Sequence, residues 1–291
     1  MANILAPFGF SQYQGTGSLT TYEQTQMAIA SGNSTAIFQG DPVVQLSTGY
    51  IGQAVGPVVL SISGGVLTNG IMALAYTGAA VPVGSTVVVY GATSTAATIN
   101  GSWTVTASAT NSLSFAFSGA FTTGTASAVV FTPIAGIFAG CRYVSVAQKK
   151  PVWGNYWPGS DANGDVTAYV INDPNSQFIV QTANSNTTST AFGLSAIGQN
   201  IGFSIGTGNT ANGISASYAD QYTLAANFPT GNYGQPYMPF RIIALANYVP
   251  GSTTSLAAQP LGSIPGNDFT SAYNKVVVGF NNAMLKQLSG I

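Results

Sequence analysis

The chain has 291 residues, only 4% of them charged, with a net charge of −1 and no histidine. Ordinary soluble proteins carry roughly 25% charged residues, so hydroxyls and amides are expected to supply the polarity of this surface. The composition argues against nucleic-acid binding, which needs a basic patch, and against a membrane helix, which needs about 20 consecutive apolar residues. A charge-poor surface favours association, which predicts a protein that works within an assembly.

The first 35 residues predict an N-terminal arm, because Gly and Pro interrupt them and their apolar periodicity is weak. Two interpretations stay open for this segment. One is a short helix over residues 19–30, in which Thr20 and Glu23 form a capping box. The other is an extended arm bound to a partner. The segment is expected to contact a neighbour, because it is not expected to bury itself well.

A host domain is predicted from residues 36–56 together with 134–291, as an antiparallel β-sandwich or barrel. Two short strands are expected around the turn at Gly40-Asp41-Pro42. Residues 181–216 are polar and glycine-rich, and a loop is expected at 206–209. A short helix is expected over 216–226, and residues 284–288 could extend a helix. The later strands are predicted at 136–140, 143–146, 168–171, 178–180, 240–245 and 275–280.

Residues 57–133 differ in composition from the rest of the chain. They are rich in Val, Thr, Ser, Ala and Gly and contain no charged side chain. Alternating apolar and polar residues predict half-buried antiparallel strands at 71–76, 86–90, 102–107, 112–117 and 126–131. Thr110-Asn111 marks a hairpin turn between two of them. The segment is therefore predicted to be an inserted small β-sandwich. Its sequences VGSTVVV (83–89), GA (91–92) and NGSWTVT (100–106) resemble a small Ig-like β domain found in phage structural proteins.

Nearly half of the charges lie between residues 140 and 181: Arg142, Lys149, Lys150, Asp161, Asp165 and Asp173. The sequence DANGD (161–165) is similar to the first half of a calcium loop, but Asn172 stands where an EF-hand needs a bidentate Glu. Each Asp lies in a turn containing Gly, Asn or Pro, where Asp is favoured for backbone reasons. We therefore predict surface turns here, with no metal, no cofactor and no enzyme activity.

The same stretch contains the candidate interface residues Trp153, Tyr156, Trp157, Lys149 and Lys150. The three rings could form a sugar-stacking platform, an interface hot spot or part of the core. The two lysines are expected to meet Asp165 or Asp173, or the carboxylates of a partner. Cys141 is expected to be a small buried apolar side chain, since there is no histidine to activate it.

The order of the host segments resembles a family of tailed-phage virion proteins often encoded beside the major capsid protein. The resemblance implies a capsid decoration or cement protein, located on the outside of the virion. Its implied partners are the major capsid protein and copies of itself, with a homotrimer as one arrangement. The alternatives are another virion component, such as a head–tail part or a fibre base, or a carbohydrate-binding module. The matching segments are IFQGDPV (37–43), GIFAG (136–140), YWPG (156–159), INDP (171–174), FIVQ (178–181), GTGN (206–209), GIS (213–215), FRII (240–243) and VVVGFNN (276–282).

Overall fold

The structure is a computed structural model that describes residues 3–15, 24–78, 80–92, 99–119, 126–224, 235–246, 267 and 271–286. Half of the chain is in strands and only 5% is helical, which confirms the predicted all-β fold of barrel and sandwich type. The strands are β1 Ser11–Gln14, β2 Thr25–Ile29, β3 Ile37–Phe38, β4 Pro42–Gln45, β5 Ile51–Gln53, β6 Val58–Thr68, β7 Ile71–Tyr76, β8 Thr86–Tyr90, β9 Gly101–Thr104, β10 Ala107–Ala109, β11 Ser112–Ala116, β12 Ala126–Phe131, β13 Gly136–Val144, β14 Pro151–Gly154, β15 Tyr156–Trp157, β16 Val166–Ile171, β17 Gln177–Ala183, β18 Asn200–Ser204, β19 Tyr218–Asp220, β20 Phe240–Leu245 and β21 Lys275–Phe280.

One host sheet closes on itself. Its strand order is β17-β19-β18-β20-β21, and β21 pairs back with β17, so five strands surround one core. All of these pairings are antiparallel except that between β17 and β19. Aromatic rings fill the interior, and Phe10 from the N-terminal segment stacks on Phe240 with ring centroids 4.4 Å apart. The N-terminal segment therefore forms part of this core.

The second host sheet is a half-barrel with the order β2-β16-β13-β4-β5, and β14 pairs with β13 beyond this path. A bulge between Phe138 and Gly140 interrupts the register of β13 against β16. Gly140 has a φ of +139°, and a Cβ added there would lie 3.0 Å from the carbonyl oxygen of Gly154. The glycine therefore lets the end of β14 approach β13 closely.

The inserted segment forms a third sheet, whose strands β6–β12 pair only with one another in the described part of the chain. The stretch from β9 to β10 pairs first with β8 and then with β11. Between the two strands, the Val105 N–H donates to Ser85 O and the Thr106 N–H to Ser114 O. This stretch therefore closes the sheet into a barrel around its own apolar core. The predicted Thr110-Asn111 turn is confirmed between β10 and β11.

The insert packs on the host through the outer face of β8 and β12. Val88, Val129 and Phe131 are buried in a small cluster with Met238 of the host. The chain enters the insert at Gly56, where an added Cβ would lie 1.9 Å from the carbonyl oxygen of Phe203. Only glycine fits such a close approach of two backbones. The division of the chain into arm, host domain and Ig-like insert stays a prediction.

Several local predictions need correction. Residues 25–29 form β2, so the predicted helix over 19–30 is wrong there, and residues 19–23 lie outside the described part. The arm buries Phe10 and Ile29, so the expectation that it cannot bury itself is wrong for these two residues. The helix predicted over 216–226 is instead β19 followed by one 3-10 turn at Gln221–Thr223, and residues 225–226 are not described. The polar, glycine-rich stretch 181–216 contains β18, and the loop predicted at 206–209 follows that strand.

Candidate functional site

The three aromatic side chains of the predicted cluster do not share one environment. Trp157 is fully buried in the half-barrel core, where its ring meets Tyr143 edge to face at 5.3 Å. Tyr156 is half-buried and stacks on Phe38. Trp153 is 64% exposed on β14. The single three-ring platform considered for sugar stacking is therefore not formed.

Trp153 is positioned by the pairing of β14 with β13. Cys141 and Tyr143 point into the core, so the alternating residues Arg142 and Val144 point outward. Arg142 lies opposite Trp153 in the register, and its guanidinium carbon is 5.1 Å from the centre of the indole ring. This is a cation–π contact on an exposed sheet face, typically worth about 0.5–1 kcal/mol.

The loop that joins β13 to β14 is held in one conformation by hydrogen bonds from both ends. The Ser145 N–H donates to Lys150 O, and the Lys149 N–H donates to Ser145 O, both at 3.0 Å. The Gln148 N–H donates to the Ser145 hydroxyl oxygen. Lys149 adopts a φ of +57°, which is uncommon for a residue with a side chain and is maintained here by these bonds.

Asp161 anchors this loop from the neighbouring turn. Its carboxylate accepts the Ser145 hydroxyl at 2.6 Å and the Ala147 N–H at 2.9 Å, and its carbonyl oxygen accepts the Val146 N–H. The Ser145 hydrogen bond, with help from backbone N–H groups and from Lys149, lowers the pKa of Asp161 below its ordinary value. Asp161 is therefore an ionised structural anchor for the loop.

The other two predicted carboxylates lie in separate networks. Asp165 accepts the Tyr50 hydroxyl at 2.7 Å, which raises the pKa of that tyrosine. Asp173 accepts the N–H of Asn175 within its own turn. The carboxylate that Lys149 influences is Asp161, which was not among those predicted to meet the lysines. Within the described ranges, no group of three or more Asp, Glu, Cys or His side chains is placed to hold a metal ion.

Seven exposed residues of this hairpin form one candidate interaction surface, which we call the hairpin surface. It combines one aromatic ring, two valines, a proline and three cations. Reasoning from the sequence named Trp153, Lys149 and Lys150 as interface candidates but missed the others. For Arg142 and Val144, the signal was the alternation of buried and exposed residues over the last four positions of β13. The hairpin surface consists of Arg142, Val144, Val146, Lys149, Lys150, Pro151 and Trp153.

The prediction that Cys141 is a buried apolar side chain is confirmed. Burial raises the pKa of its thiol to about 12. A thiol with that pKa carries almost no thiolate near neutral pH and is a poor nucleophile. Cys141 lies directly beneath the hairpin surface, so it contributes packing rather than chemistry to this site.

Elsewhere, an open cleft at the junction of host and insert is lined by residues 53–58 and 203–205, none of which is titratable. No helix of the described ranges is both long and apolar enough to cross a membrane. Comparison with known protein families, curated proteins and solved structures finds no significant match for this chain.

Proposed function

We propose that this chain is a phage decoration protein, which binds the outside of an assembled capsid and stabilises it without covalent bonds. The proposal joins the resemblance of the host segments to virion proteins with the physical character of the surface. A ligand that binds only the assembled state stabilises that state by mass action. Many copies bound across subunit joints would raise the barrier to rupture of the shell. The partners are then the major capsid protein and neighbouring copies of this chain.

The observation that supports the proposal is that Trp153 is largely exposed on a hairpin whose loop is fixed by hydrogen bonds before any partner binds. Trp, Tyr and Arg are the residue types enriched at interface hot spots. A surface that is ordered before binding loses less conformational entropy when a partner docks. The hairpin surface has both properties, since Trp153 carries Arg142 on its ring and Asp161 fixes the adjacent loop.

The test compares particles assembled with and without this chain. Imaging should place the protein across the shell, and particles that lack it should rupture at a lower temperature. Trp153→Ala should bind the shell about tenfold or more weakly, as expected for a hot spot. Leu194→Ala is the matched control, because Leu194 is a similarly exposed apolar residue on a different host loop. Localisation at the tail, or equal rupture temperatures, would contradict the proposal.

Carbohydrate binding is the second candidate, and Trp153 alone supports it. Its ring is open to solvent, whereas Trp157 and Tyr156 are occupied by contacts within the chain. A glycan array separates the two functions. Specific sugar binding that Trp153→Ala abolishes would favour the carbohydrate module over the decoration protein.

A further inference from the structure

The hairpin surface carries an unusual share of the positive charge of this protein. The whole chain has six basic residues, and three of them, Arg142, Lys149 and Lys150, lie within nine consecutive positions. All three side chains are exposed. The sequence before the patch is free of charge, since no charged residue occurs between Pro42 and Gly140, and the carboxylates Asp161, Asp165 and Asp173 follow it. The three cations therefore form a local patch on a charge-poor surface.

The acidic groups near this patch neutralise only part of it. Asp161 lies at the base of the loop, and its oxygens already accept hydrogen bonds from Ser145 and from backbone N–H groups. Asp165 accepts the Tyr50 hydroxyl and the Ser31 N–H, and these neutral donors leave its charge in place. Three cations, Arg142, Lys149 and Lys150, against two carboxylates, Asp161 and Asp165, leave one positive charge in excess.

The apolar residues of the patch indicate what kind of partner fits it. Val144, Val146 and Pro151 lie among the cations and are exposed, together with the large ring of Trp153. Binding of nucleic acid relies mainly on cations that contact phosphates, and exposed valines contribute nothing to that. Protein interfaces instead combine apolar and aromatic anchors with charges at the rim. The patch therefore fits a protein surface better than a polyanion.

We propose that the hairpin surface docks on a protein surface that presents carboxylates, with Lys149 and Lys150 as the charged rim and Trp153 as the apolar anchor. This inference rests on the proposed function, because it takes the shell subunit as the protein that presents those carboxylates. Charge complementarity of this kind steers encounter and fixes the orientation of docking. It also makes the association sensitive to salt, since screening weakens contacts between exposed charges.

The experiment measures binding of this chain to shells assembled without it, at NaCl concentrations from about 25 to 500 mM, a range over which screening becomes strong. The double variant Lys149→Gln/Lys150→Gln should bind about tenfold more weakly than wild type at low salt and within about twofold at high salt. The single variant Lys150→Gln should show a smaller effect of the same sign. Arg241→Gln is its control, because it removes one charge from β20 in the other host sheet.

The outcomes separate this inference from the function on which it rests. Salt-sensitive binding that the lysine variants weaken and Arg241→Gln does not would support both. Tight binding that is insensitive to salt and to the lysines would overturn the carboxylate partner and leave the decoration function intact. Failure of wild type to bind shells would overturn both. Tighter binding to DNA or to vesicles containing phosphatidylserine, with the same loss in the double variant, would overturn the assignment to a protein partner.

Discussion

Trp157→Ala should destabilise the protein far more than Trp153→Ala, although the two residues lie only four positions apart. Trp157 is fully buried, contacts Tyr143 edge to face, and donates its indole N–H to Asn33 O at 3.2 Å. Truncation of a buried Trp leaves a cavity and typically costs about 3–5 kcal/mol of unfolding free energy. Trp153 is exposed and loses only the contact with Arg142, which is worth about 0.5–1 kcal/mol.

The assay is urea unfolding of each variant, followed by circular dichroism so that loss of a tryptophan does not remove the signal. Trp157→Ala should unfold at much lower urea than wild type, and Trp153→Ala close to wild type. Trp157→Phe is the control that keeps a ring and removes the hydrogen bond, so its midpoint should lie between those of wild type and Trp157→Ala. Equal losses of stability from the two alanine variants would refute the assignment of Trp157 to the core and Trp153 to the surface.

Three further predictions concern the polar groups of the host. Asp41 is buried, and its carboxylate accepts four hydrogen bonds. Asp41→Asn replaces one carboxylate oxygen with an NH2 group that faces hydrogen-bond donors, so it should lower the unfolding free energy by about 2 kcal/mol or more. Urea titration measures this loss. Because burial raises the pKa of Cys141 to about 12, its thiol should react with a disulfide reagent at pH 8 only after unfolding, and prompt reaction in the folded protein would oppose this placement. Because folding lowers the pKa of Asp161, this residue contributes stability above the ordinary Asp pKa, and that stability is lost as the pH falls through the lower folded value. Ser145→Ala should raise the pKa of Asp161 in an NMR titration of the carboxyl groups. An unchanged pKa would show that Ser145 is not the main cause of the shift.

The strands that could be predicted from the sequence are those with a clear apolar pattern between turn residues. β7, β8, β12, β20 and β21 have the predicted bounds, because their Val, Ile and Phe residues form short runs that end at polar or Gly positions. β6 was missed, although it is the longest strand. It contains Gly64 and Gly65 next to a bulge, and such residues within a strand look like a turn when only the sequence is read.

The candidate site could be located from the sequence, but its exposed side could not. Strand periodicity places residues four positions apart on the same face, so Trp153 and Trp157 would be expected to point the same way. The chain instead bends at Asn155 and passes from β14, which pairs with β13, to β15, which pairs with β3. This change of sheet depends on contacts with residues more than 100 positions earlier in the chain. The local sequence pattern around Asn155 therefore does not indicate it.

The treatment of charge in this fold explains why one hairpin stands out. Among the residues that the structure describes, the two most buried carboxylates, Asp41 and Asp220, are stabilised by hydroxyl and N–H donors rather than by cations. The basic residues are therefore not needed in the interior, and three of the six lie together on the exposed β13–β14 hairpin. On a surface with so few charges, a carboxylate of a partner meets few other groups of cations that could bind it. Apolar contacts can then provide the affinity for a partner, while the charges of the hairpin set the orientation in which the partner docks. This division is expected because interface charges determine orientation more than affinity.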